Sequence, residues 1–551
     1  MNEKTLLPQL EGSVPLSANG YTLSMYSVTL EAWRRGLQVT FVNNNRRKSE
    51  TEYIISDHDK EYWFTVARGP SVSKEAIQTC IHKDKTKKTL DEYGVEIPKG
   101  KIFENNETLD DIHLYLNEID FPIVLKPSDG TGGAGVIANI KTIEEFNDAY
   151  HYVTHDLGFS KLIVEKFHDG EDHRLYVMNG RVIGAFKKEP ANVIGNGKDS
   201  IKKLVKAKNE LRTSTPAMSN RPIELDKETD TILKSKGYTL DTIPSEGEFV
   251  YLKTKNNVSS GGDPIDVTDE VSEKMKNIAV NAAKAIPDLV HCGVDMIINY
   301  QEDTGVVLEV NSRPHITAHL YPMRGKSRDI PKEIIDYYFP ETSQNYNLTG
   351  PNVYYDFGSV HNLFTQGTCK YFTLPDYPGG TVSGVRYRLT NKLKKSDYNR
   401  IKTVALNNKI HGYIKTLQNG EISIVGIGNK KRLDNFGESL RQRFPEVTFK
   451  SYDWNKPIIA GFHIDYKEPK HSSSDTPEHI KKLDKIDKTK DGYFPVEYDG
   501  PEKVKTNKNK SKQKSSKITQ QNVNNKTNKT KVSYILRTLP RPIKSLVKKI
   551  K

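Results

Sequence analysis

Two acids and one amide, Asp295, Glu309 and Asn311, carry the clearest chemical potential in this chain. They lie in Val294-Asp295-Met296-Ile297-Ile298 and Val307-Leu308-Glu309-Val310-Asn311-Ser312-Arg313-Pro314, two apolar runs around the polar turn Gln301-Glu302-Asp303-Thr304-Gly305. That pattern predicts a β-hairpin. Pairing Tyr300 with Val306 and counting outward sets Asp295 opposite Asn311, with Glu309 two residues earlier. The two-residue period of a strand then places all three on one face. Oxygen ligands converging on one spot suit a hard cation such as Mg²⁺, or Mn²⁺ in its place, which commonly holds a substrate's phosphates as well. Read alone, the hairpin fits an ordinary wet sheet face equally well.

Other stretches could handle phosphate. Phe121-Pro122-Ile123-Val124-Leu125-Lys126-Pro127 reads as a strand ending in a lysine. Ser128-Asp129-Gly130-Thr131-Gly132-Gly133-Ala134-Gly135 comes next, then the β-run Val136-Ile137-Ala138. Glycines at 130, 132, 133 and 135 let backbone amides approach an anion, and Lys126 adds a point charge. The order is strand–loop–strand, so neither a Walker loop nor a dinucleotide fingerprint fits, since both open a helix. A flexible surface turn is the alternative. Farther on, Leu162-Ile163-Val164-Glu165-Lys166-Phe167-His168 runs into Asp169-Gly170-Glu171-Asp172-His173-Arg174. Its strand end could read an adenine edge through the backbone, with a nearby carboxylate on the ribose, or be simply a charged strand end.

These groups need elements to position them. An amphipathic helix near Ser27–Arg35 ends at Gly36, and the β-run Gln38–Val42 comes after it. Lys74 to Tyr93 reads as one long helix stopped by Gly94, with Pro98 beyond. Strand and helix signals then alternate to about Pro340. The expected organisation is α/β (α+β): residues 1–75 as an N-terminal α/β lead-in, 76–345 as the main domain, 357–466 as a smaller domain, and 467–551 as a disordered Lys-rich linker and tail.

Composition narrows the class. The 551 residues imply roughly three to four domains. The formal charge is +13, yet residues 501–551 hold sixteen Lys or Arg against Glu502 alone, a local +15, so the rest of the chain stands at −2. Cys80, Cys292 and Cys369 are far apart and show no metal-ligand spacing, which argues against a disulfide framework. Cys292 reads as a small packed residue rather than a nucleophile. Met1-Asn2-Glu3-Lys4-Thr5 lacks the order of a signal peptide, and no run reaches the ~18 apolar residues of a membrane span. A cytoplasmic protein is expected.

The order of these elements resembles an ATP-grasp ligase core over 76–345, nearest to the carboxylate–amine ligases among cyanophycin synthetases and bifunctional glutathione synthetases. The matching stretches include Asp84-Lys85 with Gly94-Val95-Glu96-Ile97-Pro98, Arg174-Leu175-Tyr176-Val177, and Lys188-Glu189-Pro190-Ala191-Asn192-Val193 with Gly195-Asn196-Gly197. Further matches are Asn257-Val258-Ser259-Ser260-Gly261-Gly262, Glu309-Val310-Asn311-Ser312-Arg313-Pro314, and His319-Leu320-Tyr321-Pro322 with Gly325. The resemblance implies ATP and Mg²⁺ as cofactors. It assigns Lys85 and Lys126 to the ATP phosphates and Gly130, Gly132, Gly133 and Gly135 to a loop closing over them. Glu165, Lys166, Phe167 and His168 would form the adenine hinge, and Asp172 would bind ribose. Asp295, Glu309 and Asn311 would hold the metal, and Arg174 and Arg313 would meet the acyl phosphate or the acid substrate. The Asn257–Gly262 loop would orient the amine. The implied reaction activates a carboxylate as an acyl phosphate, which an amine captures, on small-molecule or peptide substrates. Asp172 is shorter than the glutamate many relatives carry, and the partner domains of cyanophycin synthetase have no counterpart here.

Residues 357–466 contain Gly380-Thr381-Val382-Ser383-Gly384-Val385-Arg386-Tyr387-Arg388, read as an anion-cradling loop, and His411-Gly412-Tyr413-Ile414-Lys415-Thr416. Together they resemble a ferredoxin-like acylphosphatase domain. Arg388 falls on that family's phosphate-binding arginine, while Thr416 stands where the family has the asparagine that positions water. Threonine cannot present an amide's paired donor and acceptor groups, so a degenerate domain is expected. Two other functions stay open: an acylphosphatase acting through 380–420, and a non-catalytic ATP-binding scaffold tethered by the tail. The tail has no aromatics between Lys503 and Lys531 and ends in alternating apolar and basic residues. An anionic membrane surface or an acidic polymer suits it, and nucleic acid is disfavoured. A homo-oligomer is compatible with all of these features.

Overall fold

The computed structural model describes residues 5–43, 52–104, 107–128, 134–344, 352–377, 382–390 and 393–465. The tail and its expected surface or polymer partner lie outside these residues.

Leu23–Arg34 forms a helix buried along its whole length. It is wrapped by a sheet on one side and by the Ile330–Tyr338 helix on another. The sheet runs Tyr371–Thr373, Gln38–Val42, Glu52–Ser56, Glu61–Thr65, all antiparallel. The N-terminal stretch does not complete this sheet itself: Thr40 pairs with Thr373 and Phe41 with Phe372. Phe41 is fully buried among the rings of Tyr53, Tyr355, Phe357 and Phe364.

The long helix expected over Lys74–Tyr93 is two helices, Lys74–Ile81 and Lys83–Glu92. His82 interrupts it with an extended backbone, φ −95 and ψ 104. The Thr86 hydroxyl donates to the carbonyls of Thr79 (2.6 Å) and His82 (3.1 Å), satisfying groups that a continuous helix would have used. Gly94 does stop the second helix, at φ +76.

Two antiparallel sheets build the middle of the chain. One runs Gly100–Phe103, Leu162–Lys166, Ile123–Pro127, Ile137–Ile140, so the Gly-rich stretch joins paired strands as the sequence predicts. The other runs Asp263–Asp266, Arg181–Glu189, Glu171–Met178, His291–Asn299, Thr304–Asn311. Helix Glu273–Ala285 covers this second sheet with Met275, Ile278, Ala279, Ala282 and Ala283, a helical spacing that turns one stripe inward. Ser272 caps it by accepting from the Met275 amide.

The C-terminal described region has the order strand, helix, strand, strand, helix, strand: Val382–Leu389, Lys395–Asn407, His411–Thr416, Ile422–Asn429, Lys430–Arg443, Lys450–Asp453. Phe462–Asp465 is added in parallel beside His411–Thr416. The pairing order is ferredoxin-like. Of the expected anion-cradling loop, Gly380 and Thr381 lie outside the described residues, and Val382–Arg388 is a strand. Val382–Leu389 pairs along its length with Ile422–Asn429, and Val385–Arg388 also pairs with Lys450–Asp453. Its amides belong to the ladder and cannot gather around an anion. Arg388 pairs with Glu421, and the Thr416 hydroxyl shares a hydrogen bond with that of Tyr398 at 2.8 Å. One face of this sheet carries its two helices. From the other, Tyr413, Val425 and Ile427 join the core around Trp33 and Tyr355.

Among the described residues no helix is long and apolar enough to cross a membrane. Removing the Phe41 ring should cost about 3–5 kcal/mol, read as the shift of a urea unfolding curve of Phe41→Ala. A loss below about 1 kcal/mol would mean that the aromatic cluster repacks around the gap.

Candidate active site

Asp295 leads the assembly. The hairpin exists, but its register differs from the sequence count. Asn299 pairs with Thr304 and Ile297 with Val306, and an irregularity at Asp295/Met296 shifts the pairs beyond it. Asp295 therefore faces Glu309 directly, and Asn311 pairs with Gly293. The expected pairing of Tyr300 with Val306, and of Asp295 with Asn311, is corrected: the turn is tighter than the count assumed, and one extra residue on the returning strand then brings Glu309 rather than Leu308 opposite Asp295. Spacing of two still keeps Asp295, Glu309 and Asn311 on one face.

Asp295 is 6% exposed and tightly held. Arg174, opposite it on the neighbouring strand, donates from Nε (2.8 Å) and Nη2 (2.6 Å) to its two oxygens. This is a bidentate guanidinium–carboxylate pair. Lys188 Nζ lies 3.1 Å from the same carboxylate and 2.9 Å from Asp172. Asn311 Nδ2 approaches Asp295 at 3.4 Å. Burial opposes its charge, but Arg174 and then Lys188 hold Asp295 down, at about 2. Burial instead raises Asp172 to about 6 against the pull of Lys188. Asp172, expected on a ribose, thus stands in the same charged group as Asp295.

The second assembly surrounds Glu165, 1% exposed at the end of Leu162–Lys166. Lys126 Nζ meets it at 2.6 Å, and Lys87 pairs with its other oxygen. Two lysines around one carboxylate leave an excess positive charge, an arrangement suited to polyphosphate. Burial lowers Lys87 to about 8. Burial, followed by the positive charges of Lys87 and Lys83, lowers Lys126 to about 7. Lys85, expected on the phosphates, is exposed on the Lys83–Glu92 helix, whereas Lys87 faces Glu165. A sequence signal was present: Lys87 lies three residues before Leu90, which is buried, so both share a face.

The expected hinge, Glu165 to His168, already uses two of its amides. Lys166 donates to Lys99 O at 2.8 Å and Phe167 to Pro122 O at 3.0 Å. The Lys166 ammonium donates to the carbonyls of Asp120 and Phe121. His168 is lowered by burial and by Lys166. Gly130, Gly132 and Gly133 lie outside the described residues. Gly135 has φ +69, and a Cβ there would stand 2.7 Å from Pro127, so glycine is required. Arg313 is exposed, and Cys292 is fully buried with its thiol pushed up by burial.

Sequence reasoning also missed Lys188 and Arg212. Arg212 is wholly buried and donates to Asp263 Oδ1 (2.7 Å), Arg221 O (2.7 Å) and Gly262 O (3.2 Å). Lys208 completes the Asp263 pairing at 2.5 Å. The Asn257–Gly262 loop is thereby fixed from beneath. Its tightness needs glycine: a Cβ on Gly262 would lie 2.7 Å from the carbonyl oxygens of Asn257 and Glu189. No periodicity in the sequence marks Arg212, because its partners are two backbone carbonyls and the Asp263 carboxylate, brought together only by the fold.

Among the described residues no cluster of three or more His, Cys, Asp or Glu is placed to hold a metal ion. A mixed set of two carboxylates and an amide oxygen fits a hard divalent cation in donor type. For it to bind, Arg174 and Lys188 must release at least one Asp295 oxygen, and the Asn311 amide must turn its oxygen inward.

Two family models match. Residues 82–178 match the carbamoyl-phosphate synthase L chain ATP binding domain, and residues 238–337 match the RimK-like ATP-grasp domain. A glutathione biosynthesis bifunctional protein of Clostridium perfringens is 32% identical over 331 residues, covering 58% of this chain and 41% of that protein. A cyanophycin synthetase of Crocosphaera subtropica is 34% identical over 279 residues, covering 49% of this chain and 31% of that protein. The chain thus spans less than half the length of these curated relatives. A bifunctional glutathione synthetase from Pasteurella multocida overlaps 53% of this chain and 41% of its own, at 27% identity and TM-score 0.43. The Glu165 assembly lies wholly within the first matched segment, and the Asp295 assembly draws on both, with Lys188 between them.

Nucleotide titration by calorimetry should separate the two lysines: Lys87→Ala is expected to weaken ATP about tenfold or more, and Lys85→Ala less than about twofold. The pH dependence has a definite sign. Bound polyphosphate raises Lys126 above its free value of about 7, so binding takes up a proton and affinity falls as pH rises past 7. Affinity flat from pH 6 to 9 would exclude Lys126 from the phosphate site.

Proposed function

We propose that this protein is an ATP-dependent ligase that activates a carboxylate as an acyl phosphate and joins it to an amine, forming an amide or peptide bond. One observation carries the reading: Asp295, Glu309 and Asn311 share a sheet face with Arg174 and Lys188 beside them, in a chain that matches an ATP-grasp domain over 238–337 and an ATP binding domain over 82–178.

Phosphoryl transfer of this kind asks for positioning and charge neutralisation rather than a protein nucleophile. Lys126 and Lys87 supply positive charge toward the ATP phosphates, with Glu165 holding both ammonium groups in place. Asp295, Glu309 and Asn311 would hold a divalent cation, Mg²⁺ by donor type, which supplies charge neutralisation at the transferring phosphate. Arg174 is poised to meet the negative charge of the acyl phosphate once an oxygen of Asp295 is taken by that cation. Arg313, exposed two residues beyond Asn311, would meet the acid substrate. The Gly-rich connection between Ile123–Pro127 and Ile137–Ile140 would exclude water that otherwise hydrolyses the acyl phosphate. The Asn257–Gly262 loop, held by Arg212, would orient the amine.

Hydrolysis of acyl phosphates by the C-terminal domain is the weaker reading. Its supposed cradle is a paired strand, and its arginine is engaged by Glu421.

The test is ADP release from ATP across pairs of acids and amines, with product mass recorded. ADP should appear only when both an acid and an amine are present, and Glu309→Ala should cut turnover by about a hundredfold or more. Turnover that survives Glu309→Ala would remove the metal assignment. Acyl phosphate consumed without ATP, and lost in Arg388→Ala, would favour the hydrolase instead.

A further inference from the structure

A second cationic group stands near Arg174 and has no part in the ligase chemistry. Arg221 is 6% exposed, and its Nε has no hydrogen-bond partner among the described residues. Its guanidinium carbon lies 5.3 Å from the ring centre of Tyr21, which is 56% exposed. His315 meets the same ring edge-on at 5.7 Å, and its Nδ1 is likewise buried without a partner. Burial, then the positive charges of Arg221, Arg313 and Arg174, keep His315 neutral at pH 7, at about 4.

Three distant stretches of chain are tied together here. Arg212 fixes the Arg221 carbonyl at 2.7 Å. The Gly20 amide donates to Pro216 O at 2.8 Å, binding the Tyr21 segment to the same turn. The Ile316 amide donates to Ser24 Oγ at 3.2 Å, fixing the His315 segment to the first helix. The site is therefore held by backbone contacts that do not involve the exposed ring. A buried guanidinium is costly unless an anion and its hydrogen bonds compensate. Among the described residues no carboxylate pairs with Arg221. Tyr21 is the solvent-facing member of the group, so a compensating anion arriving from outside meets its ring first.

Resting on the ligase reading, we infer that Tyr21, Arg221 and His315 form a subsite for a second negative group on the acid substrate, separate from the carboxylate that is activated. Carboxylate and phosphate share the required chemistry. A guanidinium edge and a neutral imidazole can each donate one hydrogen bond to either. The preferred acid is then at least dianionic, with its spare charge anchored between the N-terminal segment and the Arg221 turn.

Calorimetric titration of the full chain with ADP and Mg²⁺ present can test this, using succinate, phosphoglycolate and propionate as probes. Succinate or phosphoglycolate should bind at least about tenfold tighter than propionate, and the tighter of the two identifies the group. Arg221→Gln should erase that advantage. Tyr21→Leu, which removes the ring and its side-chain hydrogen bond to Arg221, should reduce it about threefold and guards against a misfolded first variant. Equal binding of the three probes, or an advantage that persists in both variants, would overturn the subsite. Dianion preference without ADP release from any acid–amine pair would leave the subsite standing and remove the ligase reading.

Discussion

The arrangement of this protein turns on one buried carboxylate. Asp295 sits where three strands meet, with a guanidinium on one side, an ammonium on another and a second acid across the hairpin. A charge in that position is tolerable only while its partners stay in register, because unpaired burial costs several kcal/mol. The sheet order around His291–Asn299 is thus constrained by charge as well as by apolar packing. The helix Glu273–Ala285 seals one face, and the opposite face is left for polar chemistry. The same pairing makes the carboxylate a switchable ligand: its oxygens are either occupied by Arg174 or offered to something else.

Glu165 shows a parallel solution with the sign reversed. There one carboxylate is outnumbered by Lys87 and Lys126, so the assembly carries spare positive charge, and burial weakens both ammonium groups until an anion arrives. The two assemblies complement each other, one prepared to accept a cation and the other a polyanion. The first is built on the middles of paired strands, and the second joins two strand ends to a helix.

Legibility in the sequence tracked the range of each interaction. The hairpin rests on local turn and β-run signals, but its register was offset by three residues at the turn, and the bulge beside Met296 is what returns Asp295, Glu309 and Asn311 to a shared face. The strand–loop–strand order after Lys126 was equally readable, since glycine and β-run signals are local. Lys85 was misplaced because choosing among neighbouring lysines on a helix requires knowing which face meets the sheet. The break at His82 likewise depends on hydroxyl–carbonyl bonds that no propensity encodes. Arg212, Lys188 and Arg221 were invisible for a further reason: their partners lie across long loops, and a charged residue reads as surface until its burial is seen. The stretch around Arg388 was misread because glycines that suggest a cradle are also tolerated in a paired strand.

The N-terminal sheet has a consequence for how the chain is made. Its Gln38–Val42 strand needs Tyr371–Thr373 as a neighbour, and the core beneath it draws on Tyr355 and Phe357. A ribosome must therefore release more than three hundred further residues before that edge can close. Until then Phe41 and its neighbours remain a sheet edge with exposed apolar faces, while the two central sheets can assemble from segments already out. Folding thus runs from the middle outward, and the Gln38–Val42 strand is among the last to reach its final environment.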